Sequence, residues 1–228
     1  MNSSWPTTSI ADRIHHIRQT IPVSVRLIAV SKQVSSAAIR AAYDAGVRDF
    51  AESRIQEAIA KQNDLSDLQD ITWHFIGHLQ TNKVAKAVQH FQWIHSVDSL
   101  KLAEYLDRYC DRADDAPYLC LQVKVLPDPN KYGWSVDELM ADLPKLDALK
   151  HIRVRGLMTI LPYGLEEATM RRGFQDTHAL AERIRQQSWK RLQMQELSMG
   201  MSDDYSLAIA AGATMIRLGR TLFGDRTA

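Results

Sequence analysis

Short apolar runs alternate with longer amphipathic stretches along the chain. The runs are rich in Val, Ile and aromatic residues, which β-strands favour. Eight of them occur, at residues 25–30, 47–50, 72–76, 93–97, 118–125, 154–158, 194–197 and 214–218. The runs at 47–50 and 194–197 are the shortest and give the weakest signal. The pattern therefore predicts eight strands.

The stretches between the runs have the periodicity of amphipathic helices. Four alanines follow the i, i+3, i+4, i+7 spacing, and Gly46 then ends that helix: Ala38, Ala41, Ala42 and Ala45. The longest helix is predicted over about residues 166–187. An additional helix with Ser9 as its N-cap precedes the first strand.

Capping residues predict where several of these helices begin and end. Ser135 and Glu138 have the spacing of a capping box. Thr81 is a candidate N-cap for the helix after the third strand, and Pro144 is expected to kink or end its own helix.

The last predicted helix begins with three polar residues. Ser202 is its expected N-cap, and Asp203 and Asp204 would lie at the positive end of its dipole. Gly212 is expected to close it.

Alternation of strands and helices implies a parallel sheet. Eight units within 228 residues favour a closed (β/α)8 TIM barrel, which needs about 200–250 residues. A doubly wound open sheet is the alternative. No linker or low-complexity tract divides the chain, so we expect a single domain over residues 1–228.

Composition and charge narrow the class of protein. Apolar residues make up 45% and charged residues 24%, as in ordinary globular proteins. A net charge of +1 argues against a nucleic-acid-binding protein, and no apolar run is long enough to span a membrane. The start of the chain has no secretory signal, and two cysteines form neither a disulfide framework nor a zinc site. We expect a cytoplasmic protein without a metal.

In such a barrel the active face lies at the carboxyl ends of the strands. Lys32 directly follows the first run, where apolar walls would desolvate its amine and make it a nucleophile suited to a Schiff base with a carbonyl. The simpler interpretation is a solvated lysine at a strand end, since most lysines lie on the surface.

The segment after the last run has the composition of a phosphate cradle. Gly219 would let a ligand approach the backbone, and Thr221 would add a hydroxyl. An ordinary glycine turn is the alternative. A Schiff-base lysine together with a phosphate cradle is what pyridoxal phosphate requires, and Arg217 could be the partner of its pyridine nitrogen. A salt-bridged structural arginine is the other interpretation.

Other polar residues also follow strands. Ser198 or Ser202 could bind phosphate, but the interpretation favoured for Ser202 is that it only caps its helix. His78 is expected to line the site, and His74 to be structural. Their spacing in a strand and turn does not suit a zinc pair.

Seven ordered blocks of sequence resemble the pyridoxal phosphate homeostasis protein family, also called the YggS/PROSC family. The insert at residues 127–133 is similar to that of its cyanobacterial branch. The blocks lie at residues 29–32, 51–57, 73–83, 94–98, 155–158, 197–204 and 217–224.

The resemblance implies a barrel like the N-terminal domain of alanine racemase, with pyridoxal 5′-phosphate held as a Schiff base on Lys32. It places the phosphate near Ser198, Met199, Gly200 and Gly219, and Arg217 at the pyridine nitrogen. Two positions depart from the family pattern. Ser53 replaces an asparagine that approaches the cofactor, and Arg220 replaces a hydroxyl residue, with Thr221 following it.

Together these observations predict ten cofactor-binding residues and no catalytic ones. They are Lys32, Ser53, His78, Ser198, Met199, Gly200, Ser202, Arg217, Gly219 and Thr221.

The resemblance further implies a non-enzymatic protein of vitamin B6 homeostasis and amino and keto acid balance. Its partner would be the small-molecule cofactor, with no nucleic acid and no membrane, and acceptor enzymes of unknown identity. The alternative is a racemase-like enzyme of low activity. Racemisation needs a second base from another domain, and we expect no room for such a domain in a chain of this length. Without a domain that completes a dimer, we expect a monomer. A lysine-dependent aldolase would carry its lysine later in the barrel.

Overall fold

Eight parallel strands close into a barrel in the computed structural model, which describes residues 9–113 and 115–224. The strands are β1 (Arg26–Val30), β2 (Asp49–Glu52), β3 (Thr72–Phe75), β4 (Trp93–Val97), β5 (Tyr118–Lys124), β6 (Trp134–Ser135), β7 (Arg153–Met158), β8 (Leu192–Ser198) and β9 (Met215–Leu218). β6 is a short side strand that pairs with the end of β5 and lies outside the barrel order.

The helices lie between successive strands, as the alternating pattern predicts. They are α1 (Ile10–Thr20), α2 (Ser36–Asp44), α3 (Ile55–Asp64), α4 (Val84–His90), α5 (Leu100–Cys110), α6 (Val136–Ala148), α7 (Glu167–Arg185), α8 (Tyr205–Ala210) and α9 (Arg220–Phe223). None of the described helices is long and apolar enough to cross a membrane.

Closure of the sheet confirms the barrel and excludes the open-sheet alternative. β1 pairs with β2 on one side and with β9 on the other, and β4 pairs with β5. In the register of the closing pair, Ile28 lies opposite Arg217. The first strand and the last therefore deliver their residues to the same mouth.

All eight predicted strands are present, including the two with the weakest signals. β2 begins two residues later than its apolar run, and β8 extends beyond its run at both ends. β6 carries no sequence signal of its own, since its two residues lie in the loop that follows β5.

Two of the predicted helix starts are confirmed and two are wrong. Ser9 and Ser135 each form a complete capping box. Thr81 instead begins a three-residue 3-10 turn, and α4 starts at Val84. Pro144 does not end its helix, because α6 continues to Ala148. A proline removes one hydrogen-bond donor, and the buried residues Leu139, Leu143 and Leu146 hold that helix on the barrel regardless.

The expected cap of α8 is also wrong. The helix begins at Tyr205, with Asp204 at the N-cap position, so Ser202 lies in the preceding turn. The Asp204 carboxylate accepts a hydrogen bond from the backbone N–H of Met201 at 2.6 Å, which closes this turn. Gly212 follows the helix with φ of 96°, a left-handed conformation that favours glycine.

The core has two layers because strand residues alternate between the barrel interior and the helices. The larger layer lies between the strands and the helices. The interior layer is smaller and contains the apolar residues Ile28, Val30, Ala51, Trp93, Cys120, Met158 and Met215. Buried polar side chains from neighbouring strands, among them His74, His95, Ser198 and Arg217, complete the filling. This polar interior lies directly beneath the mouth.

Candidate functional site

A cavity of about 420 Å³ opens at the carboxyl ends of the strands. This volume lies within the range of small-molecule sites. Its walls combine apolar side chains with charged and small polar ones: Val30, Lys32, Ser53, Ile76, Met158, Ile160, Met201, Ser202, Asp203, Arg217, Gly219 and Arg220. The cavity therefore has the form expected for a cofactor site at the active face of a barrel.

A larger cavity of about 780 Å³ lies at the opposite end of the barrel. Its walls include Arg26, Thr72, Trp93 and Tyr118, which are at the starts of their strands. We take the smaller cavity as the candidate site because it brings together an amine, a buried cation and a glycine turn.

Five of the ten predicted residues line the mouth cavity. They are Lys32, Ser53, Ser202, Arg217 and Gly219. Ser202 is not the N-cap of α8 and lines the cavity. These five come from the ends of β1, β2, β8 and β9, which are far apart in sequence and adjacent around the barrel.

Three more of the predicted residues lie behind the wall rather than in it. Ser198 and Met199 are fully buried. Gly200 is buried with φ of 93°, and a Cβ there would lie 2.7 Å from that of Ala208. The Gly200 carbonyl accepts the backbone N–H of Arg217 at 3.0 Å, so this segment holds β9 in place.

The remaining two lie at the edge. Thr221 is half-buried within α9. His78 is exposed, forms a 3.0 Å contact with Asp98 and stacks on Tyr132 with ring centroids 3.6 Å apart. Tyr132 belongs to the insert at residues 127–133, which is anchored by the Lys131 ammonium donating to the Leu161 carbonyl at 2.9 Å. His78 thus connects this insert to the mouth.

Lys32 lies in a tight turn that hydrogen bonds restrain on both sides of the residue. The backbone N–H of Val34 donates to the Ser31 carbonyl at 2.9 Å, and the intervening Gln33 has φ of 60°. A non-glycine residue in this left-handed region is strained and persists only where its surroundings hold it. The Glu57 carboxylate supplies that restraint, because it accepts the Gln33 N–H at 2.5 Å.

A buried ion cluster beneath this turn completes the support. The Lys61 ammonium donates to the Ser31 carbonyl at 2.7 Å, to Glu52 at 2.7 Å and to Glu57 at 2.6 Å. The Ser31 hydroxyl also donates to Glu52 at 2.8 Å. Lys61 thus joins the end of β1 to the end of β2, and so sets the position of Lys32.

The two carboxylates of this cluster differ in their environment. Burial raises the pKa of Glu52 against the opposing effect of its hydrogen bonds from Lys61 and Ser31. Its Oε2 atom has no hydrogen-bond partner among the described residues. Burial acts the same way on Glu57, but the hydrogen bonds from Lys61 and Gln33 outweigh it and lower the pKa of Glu57.

Arg217 is a cation placed inside the barrel. Only 3% of the residue is exposed, and its guanidinium donates to the Ser198 hydroxyl at 2.7 Å and to the Thr159 carbonyl at 3.0 Å. Burial lowers the pKa of Arg217 to about 10, so the side chain remains charged near neutral pH. The cavity wall therefore presents a fixed positive charge.

Gly219 lies beside this cation, at the start of α9. Its φ is −114°, which any residue can adopt, and a Cβ there would meet nothing closer than the Val30 carbonyl oxygen at 3.5 Å. The protein's own packing does not demand glycine at this position, which suits a space kept for a ligand. The N–H groups of Arg220 and Thr221 begin the helix and have no carbonyl within it to donate to.

The departure at Arg220 has a structural explanation. Its guanidinium forms an ion pair with Asp203 at 2.5 Å, and both side chains are largely exposed. The pair lies on the rim, so Arg220 neutralises the acidic residue nearest to the glycine turn.

The sequence analysis does not predict several residues of the site. Ile76, Met158 and Ile160 could have been found by the strand-end rule applied to apolar residues. Glu52 is the last residue of β2, and Glu57 and Lys61 lie in α3; none of the three is among the predicted site residues. Below Arg217, a histidine on β3 and another on β4 lie in hydrogen-bond contact, with 2.9 Å between His74 Nδ1 and His95 Nε2. Only the strand register reveals this pair.

The chain resembles known proteins along nearly its whole length. The family model described as alanine racemase, N-terminal domain, matches residues 7–227. The pyridoxal phosphate homeostasis protein of Synechocystis sp. is 56% identical over 207 residues, which are 91% of this chain and 94% of that protein.

Solved structures give the same result. PipY of Synechococcus elongatus PCC7942 has a TM-score of 0.91 at 54% identity without PLP, and 0.90 at 53% identity with PLP bound. Each match covers 95% of this chain and 100% of the other. Alanine racemase of Clostridium difficile 630 has a TM-score of 0.80 at 11% identity, over 96% of this chain and 60% of the racemase, and shares the fold.

The buried histidines predict how stability depends on pH. Burial lowers the pKa of His74 and lowers that of His95 well below its ordinary value of 6.5. Below about pH 6.5 the unfolded chain therefore binds protons at these histidines that the folded chain does not bind. As the pH is lowered, the free energy of unfolding decreases by up to about 1.4 kcal/mol per pH unit for each histidine. Urea unfolding between pH 8 and pH 5 measures this.

Variants identify the groups responsible. His95→Gln should reduce the slope between pH 6.5 and pH 5 by the contribution of one histidine, whereas His15→Gln removes an exposed histidine of α1 and should not. An unchanged slope in His95→Gln would show that the buried pair does not control this transition.

Proposed function

We propose, from the premise that this chain belongs to the pyridoxal phosphate homeostasis protein family, that it binds pyridoxal 5′-phosphate in the mouth cavity. In this proposal it acts as a monomeric, cytoplasmic and non-enzymatic participant in vitamin B6 homeostasis. One observation carries the proposal: Lys32, Arg217 and Gly219 line one cavity. They offer an amine for the aldehyde, a cation for the ring nitrogen and backbone donors for the phosphate.

Each of these groups suits one part of the cofactor. The Lys32 amine would condense with the aldehyde and release water, and the resulting link would fix the ring in the mouth. Gly219 and the N–H groups that open α9 would hold the phosphate. Ser53 and Ser202 lie in the same walls and would add hydroxyl donors.

The charge of Arg217 would make the bound ring a weaker acceptor of electrons. When bound, pyridoxal phosphate supplies an electron-withdrawing ring, and this ring withdraws electrons best when its nitrogen is protonated. A permanent cation beside the nitrogen disfavours that proton, because two positive charges would lie together. Arg217 stays charged near neutral pH and cannot move, since two hydrogen bonds hold its guanidinium.

A racemase-like activity is the second candidate, because the fold is shared with alanine racemases. Racemisation needs a proton acceptor on each face of the substrate. Among the described residues that line the cavity, Lys32 and Asp203 are the side chains able to accept a proton, and Asp203 is paired with Arg220 on the exposed rim. This arrangement favours binding over turnover.

The first prediction concerns the attachment residue. Borohydride reduction of protein loaded with pyridoxal phosphate should leave a pyridoxyl group on Lys32, detected by peptide mass mapping. Lys32→Ala should retain only weak non-covalent cofactor, whereas Lys83→Ala alters a lysine outside the cavity walls and should leave the adduct unchanged. A main adduct on Lys83 or Lys124 would contradict the assignment.

The second prediction concerns the phosphate. Gly219→Leu should weaken binding of pyridoxal phosphate by at least about 100-fold, because the side chain would occupy the cavity. The fold should be retained, since a Cβ at this position meets no protein atom closer than 3.5 Å. Equilibrium dialysis measures the affinity and thermal unfolding checks the fold.

Two controls accompany this variant. Ala210→Leu places the same side chain on the exposed face of α8 and should bind normally. Pyridoxal, which lacks the phosphate, should bind poorly to the unaltered protein. Normal affinity in Gly219→Leu would place the phosphate elsewhere.

The third prediction separates the two candidate functions. Racemisation of L- and D-alanine at saturating concentration should be negligible beside that of a dedicated racemase, as measured by a chiral assay. Rapid turnover that is lost in Lys32→Ala would refute the non-enzymatic proposal and favour the racemase.

A further inference from the structure

A continuous chain of polar side chains crosses the barrel interior beneath the candidate site. It joins residues of five elements that are distant in sequence. The contacts are Arg217 Nη1 to Ser198 Oγ at 2.7 Å, Ser198 Oγ to His95 Nδ1 at 2.7 Å, His95 Nε2 to His74 Nδ1 at 2.9 Å, and His74 Nε2 to Asp49 Oδ1 at 3.0 Å.

The two ends of this chain differ in exposure. Arg217, Ser198, His95 and His74 are buried, with at most 3% exposed. The Asp49 side chain is 22% exposed at the floor of the barrel, where Arg26 approaches it at 3.7 Å. The chain therefore runs from the mouth cavity to the solvent at the opposite end.

The chemistry of the two terminal groups leaves one direction for every hydrogen bond. An ionised carboxylate only accepts, so His74 must carry its proton on Nε2. In a neutral imidazole the other nitrogen is then an acceptor, and His95 must donate from its own Nε2. The Nδ1 atom of His95 is left to accept the Ser198 hydroxyl hydrogen. Ser198 therefore presents only lone pairs to Arg217, which can only donate.

The environment keeps both imidazoles neutral. Their rings are fully buried, and Trp93 stacks on His74 with ring centroids 6.0 Å apart and planes 11° apart. Burial opposes a charge on either ring, and the cations Arg26 and Arg217 oppose it further for His95. The neighbouring charges that face the pair are thus Asp49, Arg26 and Arg217.

We propose that Asp49 is a positioning residue for Arg217, acting through the His74–His95–Ser198 chain. The carboxylate at the floor sets both histidine tautomers and directs the Ser198 hydroxyl away from Arg217. With the opposite direction, His95 and Arg217 would both donate to the Ser198 oxygen, and the buried hydroxyl hydrogen would have neither of these two groups as its acceptor. The expected effect on cofactor binding rests on the proposed function. The direction of the hydrogen bonds is independent of that function.

Histidine tautomers in ligand-free protein test the direction. Long-range ¹H–¹⁵N correlation of ¹⁵N-histidine-labelled protein near pH 7 should show His74 and His95 as neutral rings, each protonated on Nε2. Signals are assigned with His74→Gln and His95→Gln. A proton on Nδ1 of either ring, or an imidazolium, would overturn the proposal whether or not the protein binds pyridoxal phosphate.

Variants of the floor residue test whether Asp49 sets this pattern. Asp49→Ala removes the terminal acceptor and should give a mixture of tautomers at both histidines. Asp49→Asn keeps an acceptor oxygen, so each histidine should keep a single tautomer. If the asparagine N–H donates to His74 instead, both histidines should change to the other tautomer together, which would also show that residue 49 sets the direction. Arg26→Gln removes the ion pair with Asp49 and the contact of the guanidinium with the Trp93 ring but keeps the Asp49 acceptor, so both tautomers should be unchanged. A wild-type pattern in Asp49→Ala would refute the proposal.

The position of Arg217 has its own measurement. Hydrogen bonds slow the rotation of its guanidinium, so the unaltered ligand-free protein should show separate Nη–H signals, assigned with Arg217→Lys. These signals should merge in Asp49→Ala and persist in Arg26→Gln, with thermal unfolding confirming that each variant is folded.

The effect on the cofactor completes the test. Affinity for pyridoxal phosphate should fall about tenfold in Asp49→Ala and stay within about twofold in Asp49→Asn. Altered tautomers with an unchanged Arg217 signal and unchanged affinity would refute the positioning role. Failure of the unaltered protein to bind the cofactor would instead refute the proposed function, while the tautomer and guanidinium signals still decide this inference.

Discussion

The charge of Arg217 is the constraint on which the barrel interior depends. A guanidinium with 3% exposure would be costly to bury unless polar groups surrounded it. The barrel supplies the Thr159 carbonyl from the end of β7 and the Ser198 hydroxyl from β8. The polar residues below Ser198 follow from this need, because Ser198 must itself be held as an acceptor. Hydrogen bonds thus connect this one buried cation to the Thr159 carbonyl and, through Ser198, to side chains of β4, β3 and β2.

Lys32 is held by different contacts, as suits an amine that reacts with the cofactor in the proposed function. The support comes from the backbone on either side of it, where Lys61 binds the Ser31 carbonyl and Glu57 binds the Gln33 N–H. The ion cluster therefore restrains the turn while the Lys32 side chain remains half-buried at the cavity. The rigid cation of β9 and the supported amine of β1 meet because these two strands close the barrel.

The sequence predicts the barrel well because each strand and helix carries a local signal. It also identifies Lys32, Arg217 and Gly219, because the strand-end rule needs only the order of the elements. It fails where the outcome depends on contacts between distant residues. Asp49, His74 and His95 gain their roles from the register of three neighbouring strands. Ser202 looks like a helix cap until Asp204 closes the turn before α8.

The same barrel serves alanine racemases, so the fold alone does not decide between binding and turnover. The distinction lies in the residues that face the cavity. Racemisation needs a second proton acceptor, and among the described residues of the cavity wall Asp203 is engaged with Arg220 on the exposed rim. In the proposed function, a covalent link to Lys32, contacts to the phosphate and the Arg217 contact to the ring would hold the cofactor. Under that proposal, the barrel would control retention and release of the cofactor rather than turnover of a substrate.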